Sequence, residues 1–569
     1  MNERRTLFRK LMYGAVILVL FIPLSMMSQP ATKEAPGGVL AQQRVEHNLS
    51  QAELGDIDPS SATMKLATMG LGGVAVNLLW ERANEYKKKE DWIALGATLE
   101  QIVKLQPNFY KVWDFQAHNL SYNLSAEFDD YHDRYTYVIR GINFLKQGFE
   151  KNQNEPRLLH RLGWYIGQKI GRSDEHKQYR ELFSQDWNNL FHAKDEYNPN
   201  RTDEERDNWL VSKEYYRRAE ALADRLAGQN IPLRTTPLLF YSEAPKSQIN
   251  YAETRQLEGR FLGPARQDTR RAWELARGDW IEYGRRVLPT TFGLSIRLED
   301  LESQQDLAAE LSQKLEDMLP GVREKLRSEK IDSLPPNVRD AVRTPRDERS
   351  HDQMALASEH EYKVEVGWDE VADLAPADQR VEAKRMANEL IRAESLINAI
   401  ETERMKVNYE YWRTRAIAEP EEITMQARLL TYEANEQWDK GNGKQAIQRY
   451  EDAWKKWREV IDRYPRMAGE SVSADEIMED INRYRKALSV FGEKFPEPFI
   501  LQDVIDVAEQ KVIYSPEDLA KMDREAERKF RDASKTKQDE AKKSESPRPN
   551  DESKQNDETS PTDEPSEAR

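Results

Sequence analysis

The feature that most constrains this chain is a recurrence at a fixed interval. Leu79, Ala83 and Tyr86 have counterparts at Trp113, Ala117 and Leu120, each 34 residues further on. A small residue held in phase between large apolar ones marks two helices that approach closely. A helix pair repeated at that interval cannot bury its apolar face alone and must stack on its neighbours. Pro107 stands near the end of the first unit, where a helix has to stop. The pair Leu162-Gly163 opens a third unit 46 residues after Ala117, counted to Gly163. About 12 extra residues are therefore expected in the second unit, around Glu127–Asp133.

A second stretch shows the pattern more completely. Ala434, Ala446, Tyr450 and Ala453 follow steps of 12, 4 and 3. Asp439-Lys440-Gly441-Asn442-Gly443 supplies a turn between two helices. These small–small–aromatic–small spacings resemble the tetratricopeptide-repeat superfamily over about a quarter of the chain. No single unit carries every consensus position. The resemblance implies stacked helical hairpins that bind other proteins. The stretches Gly72-Gly73-Val74-Ala75-Val76-Asn77-Leu78-Leu79-Trp80 and Leu105-Gln106-Pro107 through Asn119-Leu120-Ser121-Tyr122-Asn123 also look like those of large signal-anchored helical proteins of planctomycete-type bacteria. That group brings no established activity with it.

The N-terminus carries the targeting signal. Arg4, Arg5, Arg9 and Lys10 precede the uncharged run Leu11–Ser28. Eighteen residues of helix reach about 27 Å, close to the roughly 30 Å hydrocarbon core of a bilayer. The basic flank is expected to stay in the cytoplasm, which puts the bulk of the chain outside. The residues after the run lack an Ala-x-Ala cleavage pattern, so an uncleaved anchor is expected. Pro23 keeps a shorter, cleaved signal peptide as the alternative.

The expected organisation is all-α. Residues 1–10 form the basic flank, 11–28 the membrane helix and 29–60 a flexible spacer rich in Pro, Gly, Ala and Gln. Residues 61–295 form an aromatic-rich, repeat-like helical domain. Residues 296–370 hold charged helices and a loose connection. Residues 371–515 hold long helices, with the tetratricopeptide-like unit near 427–465. Residues 516–569 end in a charged tail that is expected to be disordered from about Phe530, for want of apolar side chains. Within this plan Trp209–Ala227 and Arg270–Val287 read as amphipathic helices, the latter burying Trp273, Leu275, Ala276 and Trp280. Leu298–Leu326 reads as charged and helical, ending near Pro335-Pro336. Ile231–Tyr251, with Pro232, Pro237 and Pro245, reads as irregular, and 340–370 as loose. Met386, Leu390, Ala393, Ile397, Ile400, Val407 and Tyr411 follow heptad steps, as in a coiled-coil seam or a long antiparallel pair.

Composition bounds the function. A net charge of −16 opposes nucleic-acid binding, which uses a basic face. The absence of cysteine excludes disulfides, thiolate metal sites, a cysteine nucleophile and lipidated cysteine. There is no His-Glu-x-x-His, Gly-x-Ser-x-Gly or Walker phosphate loop. Gly70–Gly73 lacks the rest of a dinucleotide fingerprint and reads as a close-packing site. Glu127, Asp129, Asp130, His132 and Asp133 are the one dense polar cluster, read as a solvated loop rather than a cation site. Asn48, Asn119 and Asn123 match the glycosylation pattern but are discounted. Trp80, Trp92, Trp113, Phe115, Tyr122 and Trp164 read as interhelix core, with a carbohydrate or peptide groove as the alternative. No catalytic, cofactor-binding or metal-binding residue is assigned and no cofactor is expected. The expected function is a membrane-anchored, extracytoplasmic scaffold for protein partners. The alternatives are a cell-envelope carbohydrate-binding protein or enzyme with its site in the aromatic domain, and a transport accessory subunit.

Overall fold

The computed structural model describes residues 2–29, 36–46, 71–185, 206–229, 237–261, 269–290 and 293–544. Most of the 29–60 spacer, Asn48 and the last residues of the tail, 545–569, lie outside the described residues. The chain divides into two compact units, Met1–Tyr432 and Glu433–Arg569. It is predominantly α-helical. Among the described residues the one sheet is a ribbon in which Leu288 pairs antiparallel with Ile296.

In the first unit, α1 (Asn2–Ser28) contains the apolar segment Lys10–Met27, with a mean hydropathy of 1.9. The helix continues through Pro23. It is long and apolar enough to cross a membrane, properties that a signal sequence shares. A short helix, α2 (Val39–Glu46), follows.

Three hairpins then form one core. The first pairs α3 (Gly72–Lys88) with α4 (Trp92–Leu105). Asp91 caps α4 by accepting from the Ala94 amide at 3.0 Å. Ala75, Val76, Leu79 and Ala83 of α3 are buried, as are Leu95, Leu99 and Ile102 of α4. The second pairs α5 (Tyr110–His118, continuing as a π-helix over Asn119–Leu124) with α6 (Tyr131–Lys151). The third begins with α7 (Pro156–Trp164), whose first residue is a proline that fits the first helical turn. It continues as a π-helix over Tyr165–Lys169 and a last α-turn Ile170–Arg172. Helix α8 (His176–Gln185) follows. Leu79 and Ala83 are buried, as are their counterparts Trp113 and Ala117, while the third pair of the 34-residue phase, Tyr86 and Leu120, is half-buried; Leu162 and Gly163 are buried too. The extra length of the second unit is not confined to the turn at Glu127–Asp133. Much of it lies in α6, which has 21 residues against 14 in α4.

Three longer helices continue the stack: α9 (Asn208–Gly228), α10 (Pro237–Leu257) and α11 (Thr269–Arg285). The expectation of an irregular segment over 231–251 fails from Pro237 onward. Helix α10 carries Pro245 in its interior and buries Phe240, Tyr241, Ala244, Ile249, Tyr251 and Ala252 against its neighbours. Burial of that many large side chains, each worth about 1.5–3 kcal/mol, outweighs the helix-breaking cost of one proline, about 3 kcal/mol. Trp273, Ala276 and Trp280 of α11 are buried as expected, but Leu275 is exposed.

Beyond the ribbon, the charged stretch expected to be helical over Leu298–Leu326 is helical in two pieces. Helix α12 (Leu301–Met318) stops at Pro320-Gly321, and α13 (Val322–Asp332) starts after Gly321 at φ +72°. The loose connection expected over 340–370 is folded. Helices α14 (Pro336–Arg343), α15 (His351–His360) and α16 (Trp368–Asp373) occupy it. Ser350 and Gln353 form a reciprocal cap on α15, and Val338, Ala341, Val342, Ala357 and Val364 make a small core with Ile331 and Leu334. Helix α17 (Arg380–Val407) carries the heptad residues. Its partner is α12 of the same chain. Arg404 pairs with Glu302 and donates to the Leu298 carbonyl, while Leu311, Leu315 and Leu319 join the core of Met386 and Leu390, an antiparallel arrangement. The seam ends at Asn408, φ 54°, so Tyr411 belongs to the next helix, α18 (Tyr409–Ala418). That helix packs against α11, and Tyr409, Trp273 and Trp280 share one core.

Helix α19 (Glu422–Asp439) runs into the second unit. There its last turns pair with α20 (Gly443–Arg463): the Tyr450 hydroxyl donates to Asn435 at 2.6 Å and Arg449 pairs with Glu433. Gly441 at φ +80° turns the chain. Ala434, Ala446, Tyr450 and Ala453 are fully buried, as the spacing predicts. Helices α21 (Arg466–Gly469), α22 (Ser471–Val490), α23 (Gln502–Ala508) and α24 (Pro516–Ser544) complete the unit. The helix of α24 extends to Ser544, and the rest of the charged tail lies outside the described residues. Its first turns dock through Leu519 against Gly469 and through Asp523, which accepts from Arg466 at 2.8 Å.

Candidate functional site

Two π-helical segments, Asn119–Leu124 in α5 and Tyr165–Lys169 in α7, lie in the first helices of successive hairpins. A π-turn opens the i→i−4 ladder and is frequent at functional sites. Here the carbonyls around it have side-chain donors. The Ser212 hydroxyl of α9 donates to Gly163 O at 2.7 Å, and the Asn208 amide to Ile166 O at 3.0 Å. The Ser125 hydroxyl donates to Ser121 O at 2.6 Å. Close approach requires glycine on α7: a Cβ at Gly163 would meet the Tyr216 ring at 3.0 Å.

A groove runs along the faces of α3, α5 and α7 beside these segments. One hollow, about 510 Å³, is lined by Val76, Asn77, Trp80, Gln106, Phe109, Lys111 and Phe115. Another, about 440 Å³, shares Lys111 and Phe115 and adds Lys87, Trp92, Tyr110, Asp114, His118, Asn123 and Arg161. The rings pack on one another at their edges: Trp80 meets Phe109 at 6.2 Å and Phe115 at 6.1 Å, both T-shaped. Tyr122 stacks on His118 at 4.7 Å and lies 6.0 Å from Trp164.

Cations sit over these rings. Lys87 Nζ is 5.2 Å from the Phe115 centroid and Lys169 Nζ is 4.3 Å from that of Tyr122. The Arg161 guanidinium is 4.5 Å from Trp164, and that of Arg157 is 3.7 Å from Tyr110. Arg161 Nε donates to Asp114 at 2.6 Å, and Arg157 Nε to Glu155 at 2.6 Å. Asp114 is the one carboxylate lining the second hollow, and it is engaged. Partial burial, with the Arg161, Lys87 and Lys169 charges acting in the same direction against Asp114, lowers the His118 pKa and keeps its ring neutral near pH 7. Burial pushes the Tyr122 hydroxyl up to about 12.

No protein family and no curated protein matches the chain. Among solved structures, a circular tandem repeat protein with novel repeat topology and enhanced subunit contact surfaces aligns with 91% of this chain and 99% of its own. The identity is 12% and the TM-score 0.16, so the likeness carries nothing over to the groove.

Of the six aromatics singled out in the sequence, Trp113 alone is fully core. It is 4% exposed, its indole N–H donates to Pro107 O at 2.8 Å and its ring packs on Phe144 at 4.8 Å. Trp80, Trp92, Phe115, Tyr122 and Trp164 are half-buried and belong to the groove or its rim. The polar cluster is divided by local structure. Asp130 caps α6, accepting from the His132 amide at 2.7 Å and meeting its imidazole at 3.0 Å. Glu127 instead accepts from the Trp92 indole at 3.1 Å. No group of metal-ligating side chains occurs among the described residues. Asn119 is buried and donates to Trp92 O at 3.2 Å. Gly72 and Gly73 meet nothing within 4 Å, so close packing does not explain them.

Sequence reasoning missed the cations Lys87, Lys111, Arg157, Arg161 and Lys169. A signal was present: Arg161 precedes Trp164 by three and Tyr165 by four residues, the spacings that bring side chains together on one helix face.

Proposed function

We propose that the chain is a membrane-tethered, extracytoplasmic scaffold that binds a protein partner through this groove, on hairpins of tetratricopeptide-like type, and that it is not an enzyme. One observation carries the reading. The groove is lined by half-buried aromatics and by cations, and its single lining carboxylate, Asp114, is already paired with Arg161. Glycoside hydrolysis uses two carboxylates facing across a cleft. Recognition needs no such pair, and an aromatic groove with polar rims has the composition of a protein-binding surface. The apolar stretch of α1 supports the tether, which would hold the groove at the membrane and raise its local concentration for partners there.

Photo-crosslinking tests the reading. The full chain, with a photo-reactive phenylalanine analogue in place of Phe109, is irradiated in intact membranes. A discrete protein adduct that disappears when Trp80→Ala and Phe115→Ala are added is the expected result. An adduct pattern unaffected by those substitutions would remove the groove from the function.

A further inference from the structure

We propose that the groove takes an acidic, extended segment of a partner protein, in which Asp or Glu side chains alternate with apolar ones. The inference rests on the protein-binding reading and names the chemistry of the partner.

The ring faces decide between ligand classes. A neutral sugar stacks its C–H face on a bare aromatic face. Here Phe115 carries Lys87, Trp164 carries Arg161, Tyr110 carries Arg157, and Tyr122 carries both Lys169 and the His118 ring. Phe115 and Tyr110 line the hollows, Trp164 and Tyr122 stand at their rim, and the lining rings Trp80, Trp92 and Phe109 carry no cation among the described residues. The surface offered is therefore cationic groups supported on rings, set beside bare apolar rings. Such a surface recognises carboxylates. Lys87, Lys111 and Lys169 have no carboxylate within ion-pairing distance among the described residues, whereas Arg157 and Arg161 do. Burial holds the Lys169 ammonium below its usual range, a penalty that a bound carboxylate would offset.

Shape and charge add to this. The two hollows meet at Lys111 and Phe115, so the space is elongated and suits a chain segment more than a single small ion. The hollow around Trp80 is apolar except for Asn77, Gln106 and Lys111, and the hollow around Arg161 is cationic. An occupant that alternates apolar and acidic side chains matches both. A local positive surface on a chain of net charge −16 also selects against a nucleic-acid backbone, which the rest of the protein repels.

The test uses the detergent-solubilised full chain and a fluorescein-labelled peptide alternating Glu with Phe and Ser. A peptide with Gln for every Glu and an oligomer of galacturonate are the comparison probes, and anisotropy is the readout. Saturable binding of the Glu peptide is expected, with at least tenfold weaker binding of the Gln peptide. Lys87→Glu with Lys111→Glu should weaken the Glu peptide at least tenfold. Both lysines are exposed, so the melting of the variant should match that of the parent. Raising the ionic strength from about 0.1 M to about 1 M cuts the screening length from about 10 Å to about 3 Å and should also weaken binding. Equal affinity for the Glu and Gln peptides overturns the inference. So does an unchanged affinity in the charge-reversed variant, or binding of the galacturonate oligomer in preference to the peptide. A specific adduct from position 109 without binding of the Glu peptide would sink the acidic-partner inference and leave the scaffold standing. Binding of the Glu peptide without any adduct would do the reverse.

Discussion

Trp113 and Gly148 make a contact whose energetics can be worked out before any measurement. A Cβ placed on Gly148 of α6 would lie 2.7 Å from Cγ and Cδ2 of the Trp113 ring, closer than such atoms approach. Gly148→Ala alone should therefore overpack the site at about 1–3 kcal/mol. The gain in helix propensity, at most about 1 kcal/mol, offsets only part of that. Trp113→Ala alone empties a large buried site at about 3–5 kcal/mol. The Pro107 carbonyl that loses the indole N–H keeps the Asn152 amide at 2.7 Å, so no orphaned acceptor is added. In the double variant the ring clash is gone, although the Cβ that alanine keeps at position 113 still lies 2.9 Å from the new methyl. With the ring space vacated the two helices can shift to relieve that single contact, so Gly148→Ala should cost less there than the about 1–3 kcal/mol it costs beside the intact ring. The two substitutions are therefore coupled. Hydrogen exchange of the intact chain, read on peptides of α5 and α6, measures this locally. Trp113→Ala should speed exchange there by about two to three and a half orders of magnitude, at tenfold per 1.4 kcal/mol. Unchanged exchange in Trp113→Ala, or a Gly148→Ala effect as large in the double variant as beside the intact ring, would refute the packing argument.

Other expectations follow from the same reasoning. Ala446→Leu should overpack the α19–α20 contact by about 1–3 kcal/mol and lower the melting temperature, because Ala446 is fully buried. A chain ending at Ser544 should melt as the parent does. One ending at Ser515 should lose protection in α20 and α21, because it lacks Leu519 and the Asp523 partner of Arg466. A reporter fused after residue 60 should be active only in the exported compartment, and cytoplasmic activity would overturn the topology. Burial, against the opposing charges of Arg286 and Arg217, raises the Glu220 carboxyl to about 7. The folded state then holds a proton that the unfolded state releases near the ordinary carboxyl value of 4.5, so this group's contribution to stability falls as pH rises through that interval. Glu220→Gln should flatten that part of the pH–stability curve, and an unchanged slope would count against the buried, protonated carboxyl.

The core was legible where small residues fix helix contacts. Ala83, Ala117, Ala446 and Ala453 sit where their spacing puts them, because a side chain larger than a methyl would not fit. The heptad residues of α17 were legible as well, although the identity of their partner was not, since periodicity describes one face and not what covers it. The segments misread as loose or irregular share a different cause. Helices α14 and α15 have 8 and 10 residues, too few for a periodic signal, and rest on a proline start and a side-chain cap. Helix α10 contradicts its own prolines because burial on two sides decides its conformation. Leu275 was placed inside on hydrophobicity alone, yet it points to solvent on a helix whose buried face carries Trp273, Ala276 and Trp280.

The groove was hidden for a physical reason. An α-helix advances about 100° per residue, and a π-turn takes one more residue to close than an α-turn. Side chains that follow are displaced around the axis from where an unbroken 3.6-residue period puts them. Trp113 precedes the π-segment at Asn119 and is in the core. Tyr122 lies within that segment, and Tyr165 begins the next one at the end of the α-turn that holds Trp164. Nine residues at about 100° each already put Tyr122 on the side of the helix opposite Trp113, and there it lies half-buried between His118 and Lys169. The features that hold the second π-segment are not on the same helix. They are the Ser212 and Asn208 side chains of α9, 42 residues or more away, which take up the carbonyls around the second π-segment. If the π-segment shapes the groove, Ser212→Ala should remove the donor to Gly163 O and loosen the rim formed by Trp164 and Lys169. It would then weaken binding of an acidic probe without touching the probe itself.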